Sequence, residues 1–454
     1  MNYFRLYFLS FAFCLEEKIS RIKKQFLNLN LSQFYLRIIH IFFLFQLFLH
    51  YFLHNFYTIF NVPRYTFQVI RYNILMLIGI DISQLIYQGS GVANYTYNLV
   101  KNLLTFDKKN NYKLFFAAKN PFKKYLFLEE FKHLGAKIYR YPIPMKLQKF
   151  LWQKNDFLSI NRLIGQSDIF YSSDFLRPKT DKNVKGITTI HDLSWKLYPK
   201  YHTDDVINAH EKKIEKNIKY NDEIIVDSEN TKNDLLKLYP QIKEKKVHVI
   251  YPAVGEYFRK IEDKKAIEKV IKKYLKSYKL QVTSYMLYVG AIEPRKNLDV
   301  AIKVFHKLLN TKYLLLDTKF LIIGKAGWKN EKIFQLVKDL KLEDKVIFLG
   351  YVEDKDLPYF YSGAILTFYL SSYEGFGLPP LESLACGTPV LAGNNSSMKE
   401  TLPKEFLVNE KNEEEIYKKI IEILEKKPKI NFEKIKKNFS WKKTVRKIFS
   451  LIKN

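Results

Sequence analysis

The chain has 454 residues, room for two or three domains, and its 47% hydrophobic and 27% charged residues are typical of an ordinary globular protein. Its net charge of +29 favours anionic partners such as a membrane surface or a phosphorylated substrate, whereas nucleic acid is not expected without a zinc-finger or RNA-binding signature. Two cysteines, Cys14 and Cys386, argue against a disulfide framework and agree with a reducing cytoplasm.

Residues 1–75 differ in composition from the rest of the chain. Two aromatic-rich apolar stretches, at 3–15 and 38–60, flank a basic segment, and the second stretch is long enough to cross a bilayer. More Lys and Arg precede this stretch than follow it closely, so a true span would place the following domain outside the cell. Three interpretations stay open: a segment lying on the membrane, a transmembrane anchor, or an extension ahead of a true start at Met76.

From Met76 the pattern alternates between strands and helices, as a parallel sheet requires. The predicted strands are at 74–82, 113–117, 168–171, 186–191, 223–226 and 247–250, and the predicted helices are at 92–106 and 121–134. The second helix is basic and amphipathic, which suits either a solvated face packed on a core or contact with a membrane. We assign residues 76–254 to an N-terminal Rossmann-like domain.

A second alternating series follows a lysine-rich helical segment at 260–279. Its predicted strands are at 285–289, 320–323, 346–349, 364–370 and 390–391, and its predicted helices are at 298–309, 331–340 and 413–426. We assign residues 255–430 to a second Rossmann-like domain. The fold class is therefore α/β, with two similar domains facing each other across a cleft. Residues 431–454 form an amphipathic tail.

One stretch of the second domain contains a strand, a glycine loop and a helix in immediate succession. The strand at 364–370 leads into EGFGLPPLE and then ACGTPV, and the two prolines can open a helix because its first positions need no N–H. Residues 375–378 would then lie at the carboxyl end of a strand, with free amides facing an anion. Glu374 and Glu382 could bind the two ends of a sugar linked through phosphates to a ribose. Ordinary turns and a favourable helix macrodipole explain the same residues without a ligand.

Three further segments place polar or glycine residues at the ends of predicted strands. Arg295 and Lys296, in GAIEPRKN, would supply positive charge where a diphosphate leaving group gains negative charge, although a solvated pair is the ordinary explanation. His191 ends the strand at 186–191, where a structural role is also common. Gly89 and Gly91 precede a helix, so that their loop amides can face a phosphate or an acceptor.

The triplet Asp354-Lys355-Asp356 spells an Asp-x-Asp metal motif, but it follows a strand and precedes a helix. We predict that Asp354 is the N-cap of that helix, and we expect neither a metal nor a cofactor.

The Glu-x7-Glu segment EGFGLPPLE, with ACGTPV after it and IEPRKN before it, resembles the donor site of retaining glycosyltransferases of family 4, which have the GT-B fold. The resemblance covers residues 76–454 and implies that the tail helix crosses back to the first domain. It also implies the role of each site residue: the ribose for Glu382, the diphosphate for Arg295 and Lys296, and the transferred sugar for His191, Glu374, Gly375, Phe376, Gly377 and Leu378. By the same resemblance, Gly89 and Gly91 line the cleft, Val352 lies near the nucleotide base, and Glu400 matches a family glutamate whose role we leave open.

The segments TIHDLS and IEPRKN resemble bacterial mannosyltransferases of surface polysaccharide and lipopolysaccharide assembly. This implies a GDP- or UDP-sugar donor, with GDP-mannose first, and a glycan or polyprenyl-linked acceptor. The expected location is cytoplasmic, on the anionic inner face of the plasma membrane. Two alternatives stay open: a GT-B sugar-nucleotide epimerase, and a membrane-associated sugar-nucleotide binder without catalytic activity.

Overall fold

The computed structural model describes residues 75–87, 89–154, 156, 158–172, 175–276, 284–315, 317–327 and 330–453. Apart from Leu75, the predicted N-terminal extension lies outside the described residues, and so does its possible membrane-spanning stretch. In the ranges that are described, no helix is both long and apolar enough to cross a membrane.

The first half of the described chain is built on a parallel sheet. Its strands are β1 (Leu77–Asp81), β2 (Asn111–Ala117), β3 (Lys137–Tyr141), β4 (Ile169–Ser172), β5 (Lys185–Ile190), β6 (Glu223–Val226) and β7 (Val247–Val249). Among the residues described, they pair in the order β3-β2-β1-β4-β5-β6-β7. The helices are α1 (Gly91–Phe106), α2 (Leu126–His133), α3 (Met145–Lys149), α4 (Asn161–Ile164), α5 (Ser194–Leu197), α6 (Asp204–Lys219) and α7 (Glu229–Leu238).

Strand β2 shows that this sheet is covered on both faces. Leu114, Phe115 and Phe116 are consecutive and fully buried. Leu114 and Phe116 belong to the hydrophobic cluster that contains the apolar side of α1, whereas Phe115 packs in a separate cluster with Trp152. Because successive side chains of a strand point to opposite faces, a strand covered on both faces must be apolar throughout. Burying each phenylalanine contributes about 2 kcal/mol.

The second half repeats this architecture. Its strands are β8 (Tyr285–Val289), β9 (Lys319–Ile323), β10 (Val346–Gly350), β11 (Thr367–Tyr369), β12 (Val390–Gly393) and β13 (Leu407–Val408). All pairs are parallel, and in the described part of the chain their order is β10-β9-β8-β11-β12-β13. The helices are α8 (Lys264–Leu275), α9 (Leu298–Leu309), α10 (Glu331–Asp339), α11 (Leu357–Gly363), α12 (Leu378–Ala385), α13 (Met398–Thr401) and α14 (Glu413–Lys426).

Two C-terminal helices connect the domains: α15 (Phe432–Asn438), which packs against α12, and α16 (Trp441–Lys453), which packs against α1. The apolar face of α16, including Trp441 and Ile448, is buried in the hydrophobic cluster of the first sheet. Its Thr444 hydroxyl donates to the carbonyl of Tyr251 at 2.8 Å. The expectation that the tail helix crosses back to the first domain is confirmed.

The sequence pattern missed two edge strands, β3 and β13. Strand β3 has the sequence KIYRY, in which Lys137 is exposed and the other four residues are half-buried, because an edge strand has one sheet neighbour. Strand β13 has two residues, too few for a periodic signal. The helix predicted from residue 121 begins at Leu126, and the strand predicted at 364–370 is confined to Thr367–Tyr369.

In each sheet the strand order reverses at one point, so that successive strands are added on the other side. This point lies between β1 and β4 in the first sheet and between β8 and β11 in the second. The helices that follow neighbouring strands diverge there and leave a crevice at the carboxyl ends of the strands. The segments that carry the predicted site residues begin at these ends.

Candidate functional site

The glycine loop after β11 is shaped by contact with the first domain. A Cβ added to Gly375 would lie 1.8 Å from the carbonyl oxygen of His191, so only glycine permits this approach. Gly377 has φ of 85°, a left-handed conformation that L-residues rarely adopt, immediately before α12 begins at Leu378. The structure therefore brings the predicted sugar-binding segments of the two domains together at Gly375.

The loop leaves backbone donors free. Within the described residues, the N–H groups of Gly375, Phe376 and Gly377 donate no hydrogen bond. Beyond Leu378, Pro379 and Pro380 have no N–H to donate. Donors at the N-terminus of a helix favour a negatively charged group. The phenyl ring of Phe376 is not part of this surface, because it packs against the rings of Tyr251 and Phe439.

Glu374 is 8% exposed and lies against both predicted diphosphate-binding cations. Its carboxylate accepts a hydrogen bond from Nζ of Lys296 and lies 3.4 Å from Nη1 of Arg295. The other guanidinium nitrogen of Arg295 is 2.7 Å from Glu293 Oε1. Lys296 also lies over the ring of Tyr369, with 5.2 Å between Nζ and the ring centroid. These side chains form a buried, charge-paired cluster at the carboxyl ends of β8 and β11.

The charges in this cluster hold one another ionised. Burial acts to raise the pKa of Glu374, but the positive charges of Lys296 and Arg295 outweigh it and lower the pKa. Burial acts to lower the pKa of Arg295, and the carboxylates of Glu374, Glu293 and Asp192 more than reverse that effect. Glu374 is therefore a carboxylate, which is a hydrogen-bond acceptor for sugar hydroxyls.

The imidazole of His191 is hydrogen-bonded to the carboxylate of Asp227, a residue that the sequence analysis did not identify. Its Nδ1 lies 2.6 Å from Oδ2 of Asp227, and its ring meets the ring of Tyr95 edge to face at 4.7 Å. Asp227 follows β6 directly, just as His191 follows β5, and these strands are neighbours. The sequence does show a polar residue directly after each of these two strands. It does not show that the strands are neighbours, and the contact between His191 and Asp227 depends on that strand order.

Glu382 lies on the first turns of α12, away from the Glu374 cluster. Its carboxylate accepts a hydrogen bond from the hydroxyl of Tyr361 at 3.0 Å. Burial raises its pKa to about 8, and the nearby Asp354 charge adds to the shift while the Tyr361 bond opposes it. Glu374 and Glu382 thus differ in charge state at neutral pH although one motif contains both.

The glycine loop of the first domain faces β9 and β10. A Cβ on Gly89 would lie 2.7 Å from the ring of Tyr351 and 3.7 Å from Nζ of Lys325. Gly91 begins α1, behind the N-cap Ser90, and has open space at its Cβ position. Val352 is buried in the core of the second domain, next to Tyr351. Lys325 was missed in the sequence because a single lysine after a strand carries little signal in so basic a chain.

The prediction that Asp354 caps a helix is wrong. Helix α11 begins at Leu357 and has Asp356 at its N-cap position, without a capping side-chain bond. Burial raises the pKa of Asp354, and the nearby Asn94 of the first domain opposes this effect, whereas Asp356 pairs with Lys273 at 2.9 Å. The two aspartates therefore lie next to different residues. Across the described ranges, no three His, Cys, Asp or Glu side chains are grouped for a metal ion.

Glu400 connects the two domains. It lies on α13, and its carboxylate accepts hydrogen bonds from the backbone N–H groups of Glu229 and Asn230, at 3.1 and 3.4 Å. These are the first residues of α7 in the first domain. A second contact joins α7 to the residue before Glu374: the Tyr373 hydroxyl donates a hydrogen bond to Asp234 at 2.8 Å. The site is therefore closed on one side by direct bonds between the domains.

Comparison with known families matches both halves of the chain. Residues 89–255 match the model described as Glycosyltransferase Family 4, and residues 281–441 match the model described as Glycosyl transferases group 1. The chain is a family 4 glycosyltransferase. The two matched ranges contain the first-domain and second-domain site residues, respectively.

Curated relatives of this glycosyltransferase include mannosyltransferases of O-antigen assembly. It is 26% identical over 342 residues to O-antigen chain mannosyltransferase B of Escherichia coli, covering 72% of this chain and 84% of the relative. It is 29% identical over 244 residues to O-antigen chain mannosyltransferase RfbU of Salmonella typhimurium, covering 53% of this chain and 61% of the relative. These names support a transferase and not the alternative functions.

Solved structures confirm the expected GT-B fold of the glycosyltransferase. The TM-score is 0.61 to sucrose-phosphate synthase from Thermosynechococcus elongatus, which is 17% identical, with 83% of this chain and 98% of that chain covered. It is 0.57 to WaaG, a glycosyltransferase of lipopolysaccharide biosynthesis, which is 12% identical, with 82% and 94% covered. At these identities the likeness concerns the fold alone.

Proposed function

We propose that this glycosyltransferase moves mannose from GDP-mannose to a hydroxyl group of a glycan or lipid-linked acceptor, with retention of configuration at the sugar. The observation that carries the proposal is the paired cluster of Glu374, Lys296 and Arg295, next to the unused amides of the loop at 375–378. A carboxylate, two cations and free N–H groups together are complementary to a sugar attached to a diphosphate.

In the proposed mode of binding, each part of the donor has its own partner. Glu382 binds the ribose hydroxyls, Arg295 and Lys296 bind the diphosphate, and the sugar lies between Glu374 and His191. The transition state of transfer puts more negative charge on the departing diphosphate than the bound donor has. Fixed cations and helix N-terminal amides at that position stabilise the transition state more than the ground state.

The acceptor hydroxyl attacks from the face that the diphosphate leaves, and an oxygen of the departing phosphate takes the proton. The C–O bond to the acceptor forms as the C–O bond to the phosphate breaks, so charge and atoms balance without a protein base or a metal. In this scheme Glu374 positions the sugar, and Asp227 orients the imidazole of His191 through the 2.6 Å bond.

The choice of mannose is supported by the relatives that are named mannosyltransferases. The choice of GDP follows from the resemblance of the segments TIHDLS and IEPRKN to such enzymes. The membrane-bound acceptor is supported by the net charge of +29 and by one surface of the first domain. There, Phe122 and Leu126 are 67% and 76% exposed, beside Lys123 and Lys124. Apolar side chains bordered by lysines suit the headgroup region of an anionic bilayer, so we place the enzyme at the inner face of the plasma membrane.

A donor screen tests the proposal. The full chain is heated with GDP-mannose, UDP-glucose, UDP-N-acetylglucosamine, GDP or UDP, because a ligand that binds the folded state raises the melting temperature. We expect GDP-mannose and GDP to stabilise the protein and the UDP compounds to have little effect. Glu382→Ala should abolish most of the shift. A uridine-only response would overturn the choice of GDP, and no response would overturn the donor site.

The role of Glu374 is tested separately with Glu374→Gln and a hydroxyl acceptor. If Glu374 positions the sugar and is not the base, kcat should fall while the pH dependence of kcat keeps its shape. The anomeric configuration of the product, read by NMR, tests retention. A product of inverted configuration, or loss of one limb of the pH profile in the variant, contradicts the mechanism.

A further inference from the structure

The chain has a second concentration of positive charge, away from the donor site. An open pocket of about 800 Å³ lies between α15 and α16, where the chain crosses from the second domain to the first. Its nine lining residues are all polar or charged, and six of them are cations: Lys434, Lys436, Lys437, Lys442, Lys443 and Arg446. The lining contains one acidic residue, Glu433.

These six cations are not neutralised by any side chain that the structure describes. In the residues that the structure describes, none of them forms an ion pair, although many other lysines of the chain do. Five of the six are exposed, and Lys436, in the last turn of α15, is half-buried. The like charges on α15 and α16 repel each other. An anion that binds between the two helices reduces this repulsion and therefore stabilises the folded state.

The shape and chemistry of the pocket restrict the ligand. Among the described residues, no apolar or aromatic residue lines the pocket, so its charged side chains favour an anionic ligand over a nucleotide base or an acyl chain. A concave site with cations on both walls suits a compact group with several negative charges better than a flat bilayer does. We propose that the pocket between α15 and α16 is a binding site for a diphosphate group, either free in solution or carried on a lipid headgroup.

The site is separate from the proposed donor site. Helix α15 packs against α12, and Lys436 acts electrostatically on Cys386, just past the carboxyl end of α12. The donor loop is at the opposite, N-terminal end of α12. A diphosphate in the pocket would contact both α15 and α16, and hence helices packed on both domains.

The test compares two variants that lose the same charge. One removes three pocket cations (Lys437→Gln, Lys443→Gln and Arg446→Gln). The control removes three exposed lysines elsewhere that form no ion pair with a described residue (Lys182→Gln, Lys332→Gln and Lys338→Gln). Pyrophosphate binding to the full-length proteins is measured by titration calorimetry. We expect the control to bind like the wild type, and the pocket variant to bind about tenfold more weakly or worse, because charge-assisted contacts are lost.

Pyrophosphate bound at Arg295 and Lys296 contributes equally to the affinities of both variants. The difference between the two affinities therefore measures binding in the pocket, even if the proposed donor site is wrong. Exposed Lys→Gln changes should leave the fold intact, which circular dichroism checks; if the triple variant does not fold, Lys443→Gln alone carries the test. Equal affinities in the two variants, or no binding by the wild type, would overturn the proposal.

A vesicle-binding experiment distinguishes a free diphosphate from one carried on a lipid headgroup. Vesicles of phosphatidylcholine with a polyprenyl diphosphate are compared with vesicles of phosphatidylcholine and phosphatidylglycerol, which carries a monophosphate diester. Stronger pocket-dependent recruitment to the first kind assigns a lipid-borne diphosphate, and pyrophosphate binding without such recruitment assigns a free one. Equal pocket-dependent recruitment to both, without pyrophosphate binding, would show a general bilayer contact and refute the diphosphate site.

Discussion

At the scale of single residues, the two glutamates of the donor motif differ in their surroundings and therefore in their chemistry. Glu374 is paired with Lys296 and Arg295, whereas Glu382 has the uncharged hydroxyl of Tyr361 as its partner. Removing Glu374 would cost roughly 3–5 kcal/mol, because it would leave the buried Lys296 without its carboxylate partner, whereas Arg295 would keep Glu293. In the proposed mode of binding, the diphosphate would offer Lys296 and Arg295 a further anionic partner, so the pairing is compatible with the proposed donor site.

The raised pKa of Glu382 predicts a pH-dependent donor affinity. Folding raises this pKa from 4.5 to about 8, so the folded protein holds a proton that the unfolded chain has lost in this range. For this group, stability is greatest below pH 4.5 and declines as pH rises through 8. Ribose hydroxyls donate to a carboxylate, so donor binding must release the proton.

Below pH 8, donor affinity should therefore weaken by up to about tenfold per pH unit. Calorimetric titrations between pH 7 and pH 9, in buffers of different ionisation enthalpy, measure both the affinity and the proton release. Glu382→Gln is the matched control, since its side chain cannot titrate. This variant should bind the donor weakly, and its affinity should lack the pH dependence that Glu382 causes. A wild-type affinity that does not change over this range would contradict the ribose assignment.

At the scale of elements, the carboxylate of Glu400 acts as a cap supplied by the other domain. Helix α7 already has Ser228 as its N-cap, whose hydroxyl accepts from the N–H of Thr231. Glu400 accepts from the two preceding N–H groups, and its charge lies at the positive end of the helix macrodipole. This arrangement couples the packing of α13 to that of α7.

Glu400→Gln should lower the free energy of unfolding by about 1 kcal/mol, the usual value for losing a charged capping interaction. It should also raise the KM for the donor, because the contact helps to hold the domains together. Urea denaturation and initial rates measure the two effects. Glu405→Gln, an exposed glutamate four residues from the end of α13, is the matched control and should change the free energy by less than about 0.5 kcal/mol. Equal behaviour of the two variants would refute the capping role.

At the scale of the whole molecule, the candidate site depends on a close approach of the two domains at Gly375. The hydroxyl of Thr231 on α7 lies 3.4 Å from the carbonyl of Gly375, and the carbonyl of His191 occupies the space where a side chain would begin. The Phe376 ring completes this boundary by packing with Tyr251 and Phe439, where the chain crosses between the domains.

Gly375→Ala should separate the domains without unfolding either one. We expect kcat/KM to fall about a hundredfold, as for a misplacement of reacting groups by about 1 Å. Nucleotide binding should persist, because Glu382, Arg295 and Lys296 all lie in the second domain. Transfer assays and thermal shifts with nucleotide measure the two properties. For stability, Gly91→Ala is the control, since its added Cβ meets no atom within 4 Å. Transfer at the wild-type rate in Gly375→Ala would contradict the close approach.

Much of the fold could be read from the order of apolar segments. The strand at Tyr285–Val289 and the helices at Leu298–Leu309 and Glu413–Lys426 have the predicted bounds, because long buried segments with clear periodicity carry a strong local signal. Edge strand β3 was missed because half of its environment is solvent. The N-cap prediction for Asp354 failed because the helix begins later, at Leu357, so that Asp356 is at the N-cap position.

The sequence by itself determined the two alternating series, the strand–loop–helix order of the donor motif, and the residue types that could bind a sugar diphosphate. These follow from the periodicity of burial and from the chemistry of neighbouring residues, which are local properties. Only the tertiary structure decided that Asp227 supports His191, that Gly375 meets the His191 carbonyl and that Glu400 caps α7 from 171 positions away. Such contacts depend on how separate elements pack, and no local pattern of residues encodes that arrangement.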